Sequence, residues 1–93
     1  MPYATVSYTV HAAERLVERG LHRQGVEYVL QTGERIEDYP DDPRGASYLM
    51  LGWYEERPLH VVAADDETSE ETVVITLYRP APEKWSDDFR TRQ

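Results

Sequence analysis

Residues 26–39 read VEYVLQTGERIEDY, and the spacing of their apolar side chains changes partway through. Up to Gly33 the spacing is helical. Val26, Val29 and Leu30 fall on one face of a helix expected over Arg23–Thr32, and Gly33 closes it. Beyond Gly33 the period is two, and ERIEDY reads as a short strand. Helical periods before this point and strand periods after it decide the fold class.

Upstream, TVSYTV alternates and is rich in β-forming residues, so it reads as a short first strand leading into a helix. Thr9 is placed to cap that helix. Over residues 10–19, Ala13, Leu16 and Val17 share one face, Glu14 and Glu18 lie opposite, and Gly20 supplies the stop. Gly25 in the first turn of the second helix lowers its propensity without overturning the pattern. Downstream, YPDDPRG is a loop, and ASYLMLGWY and PLHVVAAD are strands joined through EER. Glu55-Glu56 is a poor type I′ pair, so a longer connection is expected there. TVVITLYR is the last strand. In the terminal PAPEKWSDDFRTRQ, Trp85 and Phe89 stand four apart, as for a docked helical turn. The expected fold is α+β, with two N-terminal helices on one face of an antiparallel sheet of about four strands.

Face assignment follows from alternation. Leu59, Val61 and Ala63 point one way, and His60, Val62 and Ala64 the other. In the last strand Val73, Ile75 and Leu77 form the greasier set. If the greasy sets share the helix-covered face, His60 lies beside Thr76 and Tyr78.

Ninety-three residues make one domain, 1–93. No apolar run approaches 18 residues, and the N-terminus lacks a secretory pattern. Cysteine is absent, which excludes disulfides, thiol catalysis and cysteine zinc sites. A soluble cytoplasmic protein without membrane contact is expected. The net charge of −8 opposes phosphate binding on average. The acid excess is uneven, however. Residues 1–36 hold four Arg against four Glu, and the surplus sits in EDYPDD, DDETSEE and similar loop-like clusters.

His11, Arg15 and Arg19 recur every four residues and line one narrow helical stripe. Arginine forks suit phosphate oxygens, and histidine transfers protons near neutrality. Together they form a kit for metal-independent RNA cleavage, in which a base takes the 2′-hydroxyl proton and an acid protonates the leaving oxygen. The plainer reading is an exposed face whose arginines pair with nearby glutamates. His60 is either a half-buried strand histidine or a catalyst beside Tyr78 and Thr76. Arg79 either reaches phosphate or caps the sheet edge. Tyr48, Trp53, Tyr54, Tyr78 and Trp85 either stack bases or pack the core. His11, His22 and His60 lack metal-ligand spacing, the acid clusters lack the pattern of a calcium loop, and no phosphate loop or cofactor motif is present. No metal and no cofactor is expected.

The stretches HAAERLVERGL, VEYVLQTGERIEDYP, LGWYEERPLHVVAA and VVITLYRPAPEKWSDDFRTR resemble the bacterial family known as domain of unknown function 4258. Its linked motifs here are H-A-x2-R-x3-R-G, R-P-L-H-V-V and T-x-Y-x-P-x4-W, and the resemblance runs over residues 8–92. That family is grouped by similarity with RelE-type toxins, which are small α+β proteins. Several of them cleave RNA without metal, and some lie beside an antitoxin-like partner. The resemblance therefore implies a RelE-like fold, with His11, Arg15, Arg19, His60, Tyr78 and Arg79 at matching positions. The sequence departs from the family at the second helix's start, where His22 and Gly25 stand, and in its acidic balance.

Two functions are expected from these readings. One is a metal-independent endoribonuclease of toxin type acting on RNA. There His60 and His11 act as base and acid in either order, Arg15, Arg19 and Arg79 hold phosphate, and Tyr78 positions a base or the 2′-hydroxyl. The other is a non-catalytic protein-binding module of a toxin–antitoxin-like pair, meeting an antitoxin-like protein at an exposed edge while acidic loops attract a basic partner. The oligomeric state is left open.

Overall fold

The computed structural model describes residues 3–43 and 45–93. Its elements run β1 (Thr5–Tyr8), α1 (Val10–Glu18), α2 (Arg23–Thr32), β2 (Glu34–Tyr39), β3 (Ser47–Tyr54), β4 (Arg57–Asp66) and β5 (Glu71–Tyr78), followed by a 3₁₀ turn at Pro82–Lys84. The fold is α+β, with two helices and a five-stranded mixed sheet in the order β1-β5-β4-β3-β2.

This corrects the expected sheet of about four antiparallel strands. β1 pairs parallel to β5, from Thr5 opposite Glu71 to Tyr8 opposite Val74, and the other three pairings are antiparallel. The first and last strands meet only after the whole chain has returned, and a four-residue strand carries no sign of which partner it takes. Thr9 continues the alignment. Its N–H donates to the Val74 carbonyl at 3.1 Å and its hydroxyl donates to the Ile75 carbonyl at 3.0 Å. The same hydroxyl accepts from the Ala12 N–H at 3.0 Å, capping α1.

That tether to β5 sets the rotation of α1. Ala12 is buried and Leu16 packs against the core, while Val10 and Val17 are 79% and 83% exposed. The inward face is therefore Ala12/Leu16, one position off the expected Ala13/Leu16/Val17. α2 buries Val26, Val29 and Leu30 as its period requires. Gly25 is needed there, since a Cβ would stand 2.7 Å from the Tyr54 ring.

β4 is the central strand and is covered on both faces. Leu59, Val61 and Ala63 join α1, α2, Met50, Val74 and Leu77 in the main core. On the other face His60 pairs with Tyr78, and Val62 with Thr76, so His60 shares the side of Thr76 and Tyr78 as expected. A bulge then shifts the register so that Ala63 faces Val74, which leaves Ile75 unopposed. Val74 therefore joins Leu77 on the helix side, and Val73 goes to the other.

The β3–β4 connection is tighter than expected. Tyr54 pairs with Arg57 across a two-residue turn, with Glu55 at φ 56° and Glu56 at φ 63°. Both residues take the left-handed conformation of a type I′ turn, which glycine or asparagine adopts at lower cost. The C-terminal segment also differs from a docked helical turn. After the 3₁₀ turn, Trp85 bridges to Arg92, and Ser86 N–H donates to the Thr91 carbonyl at 2.8 Å. Residues 85–92 thus form a looped strap against the sheet face that the helices leave open.

Replacing Glu56 with glycine removes left-handed strain of roughly 1 kcal/mol. Urea unfolding of Glu56→Gly at neutral pH is expected to show a gain of that order. An unchanged or lower midpoint would contradict the turn.

Candidate functional site

The side chains that chemistry singled out lie in three places. At the centre of the strap-covered face, His60 has no exposed surface. Its Nε2 is 3.0 Å from the Phe89 carbonyl oxygen and its Nδ1 is 3.3 Å from the Tyr78 hydroxyl. A carbonyl only accepts, so Nε2 carries the proton. In the neutral ring Nδ1 must then accept, and the Tyr78 O–H donates to it. Trp85, 4% exposed, sets its ring edge-on to the imidazole with centroids 4.4 Å apart. Burial pushes the His60 imidazole below its ordinary value, although the hydrogen bond to Phe89 opposes the shift. Burial likewise pushes the Tyr78 phenol up.

Arg79 lies elsewhere. One of its terminal nitrogens donates to three carbonyls, those of Tyr54 (3.3 Å), Arg57 (3.1 Å) and Pro58 (3.1 Å), and its Nε is buried without a hydrogen-bond partner among the described residues. The guanidinium pins the ends of the strained Glu55–Glu56 turn to the exit of β5.

The α1 stripe is the third place. His11 is exposed, with Nε2 3.1 Å from the Thr76 hydroxyl. Thr76 lies two residues before Tyr78 on the same strand, so His11 stands at the β5 rim of the face whose centre holds His60. No hydrogen bond joins the two histidines among the described residues. Arg15 pairs with Glu18 at 2.9 Å, and exposed Arg19 caps the end of α1 without an ion pair among the described residues.

Beside His60 the structure gathers residues that the sequence reading did not select. A bulge in β2 moves the pairing from Arg35/Met50 to Glu37/Leu49, turning Glu37 and Tyr39 toward the strap while Arg35 stays on the helix side, 3.8 Å over the Tyr48 ring. The strap's Arg92 lies 4.7 Å over Trp85, with Nε 3.2 Å from Glu37 and Nη2 3.5 Å from the Tyr39 hydroxyl. Arg90 pairs with Glu34 and Asp88. Burial pushes the Glu37 carboxyl up, but the hydrogen bonds from Tyr39 and Arg92 outweigh it and leave the group below the usual carboxylate range. Tyr39 is pushed up to about 12, by burial first and by Glu37 second. The only sequence signal for this cluster is the i, i+2 spacing of Glu37 and Tyr39, and nothing local links them to an arginine 55 residues away.

The face is closed as it stands. A neutral imidazole with both nitrogens engaged and no water contact has no free lone pair to take a substrate proton. Among the described residues no group of three His, Cys, Asp or Glu is placed to hold a metal ion, and no helix is long and apolar enough to cross a membrane.

Residues 8–79 match the model of a family described as Domain of unknown function (DUF4258). The match ends at Arg79, before the strap. No curated protein and no solved structure matches the chain.

Two expectations follow. Removing the Arg79 side chain leaves three turn carbonyls without their charged donor, so Arg79→Ala is expected to lose about 2–3 kcal/mol in urea unfolding. An unchanged midpoint would contradict the clamp. For His60 the folded-state value lies below the unfolded value of 6.5. The unfolded chain therefore binds the proton first as pH falls, and the stability is full above 6.5 and lost as pH drops through the folded value. The stability advantage of wild type over His60→Gln is expected to be about 1–3 kcal/mol at neutral pH and to shrink below pH 6.5. A gap that grows on acidification would contradict the burial.

Proposed function

The chain belongs to the family described as Domain of unknown function (DUF4258), and on that footing we propose that it is a non-catalytic protein-binding module of a toxin–antitoxin-like pair, RelE-like in fold and cytoplasmic. One observation carries the reading: two of the side chains that a nuclease would need, His60 and Arg79, are spent inside the fold. His60 uses both nitrogens on Tyr78 and Phe89, and Arg79 uses its guanidinium on the β3–β4 turn. Arg15 is paired with Glu18, and the net charge of −8 repels a phosphate backbone.

What the fold leaves free suits an interface. β2 is an edge strand with one side unpaired, open to strand addition. α1 shows Val10 and Val17 to solvent beside Glu14 and Glu18. Two N-terminal helices on one sheet face are in keeping with the RelE-like grouping.

A second reading, metal-independent RNA cleavage, is favoured by one feature. Arg92, Glu37, Tyr39, His60 and Tyr78 gather on one face, and a cation beside acid/base groups is what attack by a 2′-hydroxyl needs. Under that reading the Phe89 part of the strap has to lift from His60 while Arg92 keeps its place beside Glu37.

Incubating mixed-sequence RNA with the protein in EDTA, with and without ribosomes, separates the two. The binding-module reading predicts no cleavage above buffer in either condition. Cleavage that survives EDTA and falls about a hundredfold or more in both His60→Gln and Arg92→Ala would move the conclusion to the nuclease.

A further inference from the structure

A hollow of about 740 Å³ lies at the β4–β5 loop end, away from the His60 face centre. Its floor is apolar, formed by Ala64, Val73 and Ile75, and its rim carries Asp66 and Glu67. The β5 bulge builds that floor, since it turns Val73 to this side and leaves Ile75 unopposed. A second hollow of about 420 Å³ lies on the other side of the sheet end, where Asp65 turns with Thr72 and Tyr48 toward the helices, so the first is a trough by itself.

The rim charges are set in different ways. One Asp65 oxygen accepts from the Tyr48 hydroxyl (2.7 Å) and the Thr72 hydroxyl (2.8 Å), which holds that carboxylate on the helix side, away from Ala64 and Val73. Asp66 takes the Thr68 and Ser69 N–H groups on one oxygen. Glu67 makes no hydrogen bond among the described residues. Arg35, at the far end of the second hollow, is paired with Asp38 and does not neutralise the rim.

We infer that this trough is the docking site for an arginine-bearing, apolar segment of a partner protein. The inference rests on the binding-module reading and names the partner's chemistry. An arginine lays its methylene stem on Ala64, Val73 and Ile75 while its guanidinium meets the carboxylates, and neighbouring apolar residues of the segment fill the floor. Charge complementarity selects this occupant. The carboxylates of Asp66 and Glu67 beside an apolar floor repel nucleic acid and acidic peptides but receive a cation with a greasy stem.

The test is fluorescence anisotropy of a labelled peptide of about twelve residues alternating arginine and valine, a length of roughly 40 Å when extended. Controls replace its arginines with glutamate or its valines with serine. The protein variants are Asp66→Asn with Glu67→Gln, which keeps the oxygen that Asp66 offers to the loop, and Val17→Asp on α1. Binding of the arginine/valine peptide is expected to weaken about tenfold or more in the rim variant and for the serine control, and to be unaffected by Val17→Asp. The glutamate control is expected not to bind. Binding unchanged in the rim variant, equal binding of the serine control, or no binding at all would overturn the trough. Loss with Val17→Asp alone would move the interface to α1, leaving the binding-module reading intact. Metal-free RNA cleavage by the wild type would remove that reading itself.

Discussion

An imidazole with no exposed surface must find a partner for each ring nitrogen inside the fold, and His60 sits at the middle of the central strand, where no water is at hand. The Phe89 carbonyl can only accept, so it assigns the proton to Nε2, and that choice makes the Tyr78 hydroxyl a donor. One partner is the neighbouring strand and the other is the strap. The requirement therefore joins the last fourteen residues of the chain to the sheet.

Magnitudes say what holds the strap. Burying most of a tryptophan, roughly 200 Å² at about 25 cal/mol per Å², is worth about 5 kcal/mol before entropy. The ion pairs of Arg90 and Arg92 with β2 are largely exposed, and such pairs contribute about 1 kcal/mol or less each. Trp85 and the His60 hydrogen bonds anchor the segment, and the arginines set its alignment across β2. Arg92 over Trp85 links the two effects.

Much of this was legible in the sequence. The bounds of α2 and β2 follow from the switch of period at Gly33, and Thr9 caps α1 as its position predicts. That His60 shares a face with Thr76 and Tyr78 follows from alternation once the apolar sets are set against the helices, whereas the register that pairs it with Tyr78 does not. Features set by distant parts of the chain were not legible. These are the parallel pairing of β1 with β5, the rotation of α1 imposed by Thr9, and the bulges at Ile36 and Ile75 that re-aim Glu37 and Val73. The Glu55–Glu56 turn was misjudged because residue preference favoured a looser connection. Pairing on both sides, with Arg79 clamped across the turn, overrides that preference. For the site, residue chemistry singled out His60, Tyr78 and Arg79 with a structural reading beside the functional one. The strap over His60 and the carbonyls around Arg79, contacts that convert acid/base and cationic groups into partners within the fold, come from distant parts of the chain and were not legible.

That conversion is the central claim, and nitrogen-15 NMR of the His60 ring tests it most directly. The account predicts a neutral ring protonated at Nε2, with a slowly exchanging proton and a titration displaced below the ordinary 6.5. A ring that titrates at or above 6.5 with a rapidly exchanging proton would show an open face, and it would contradict the account.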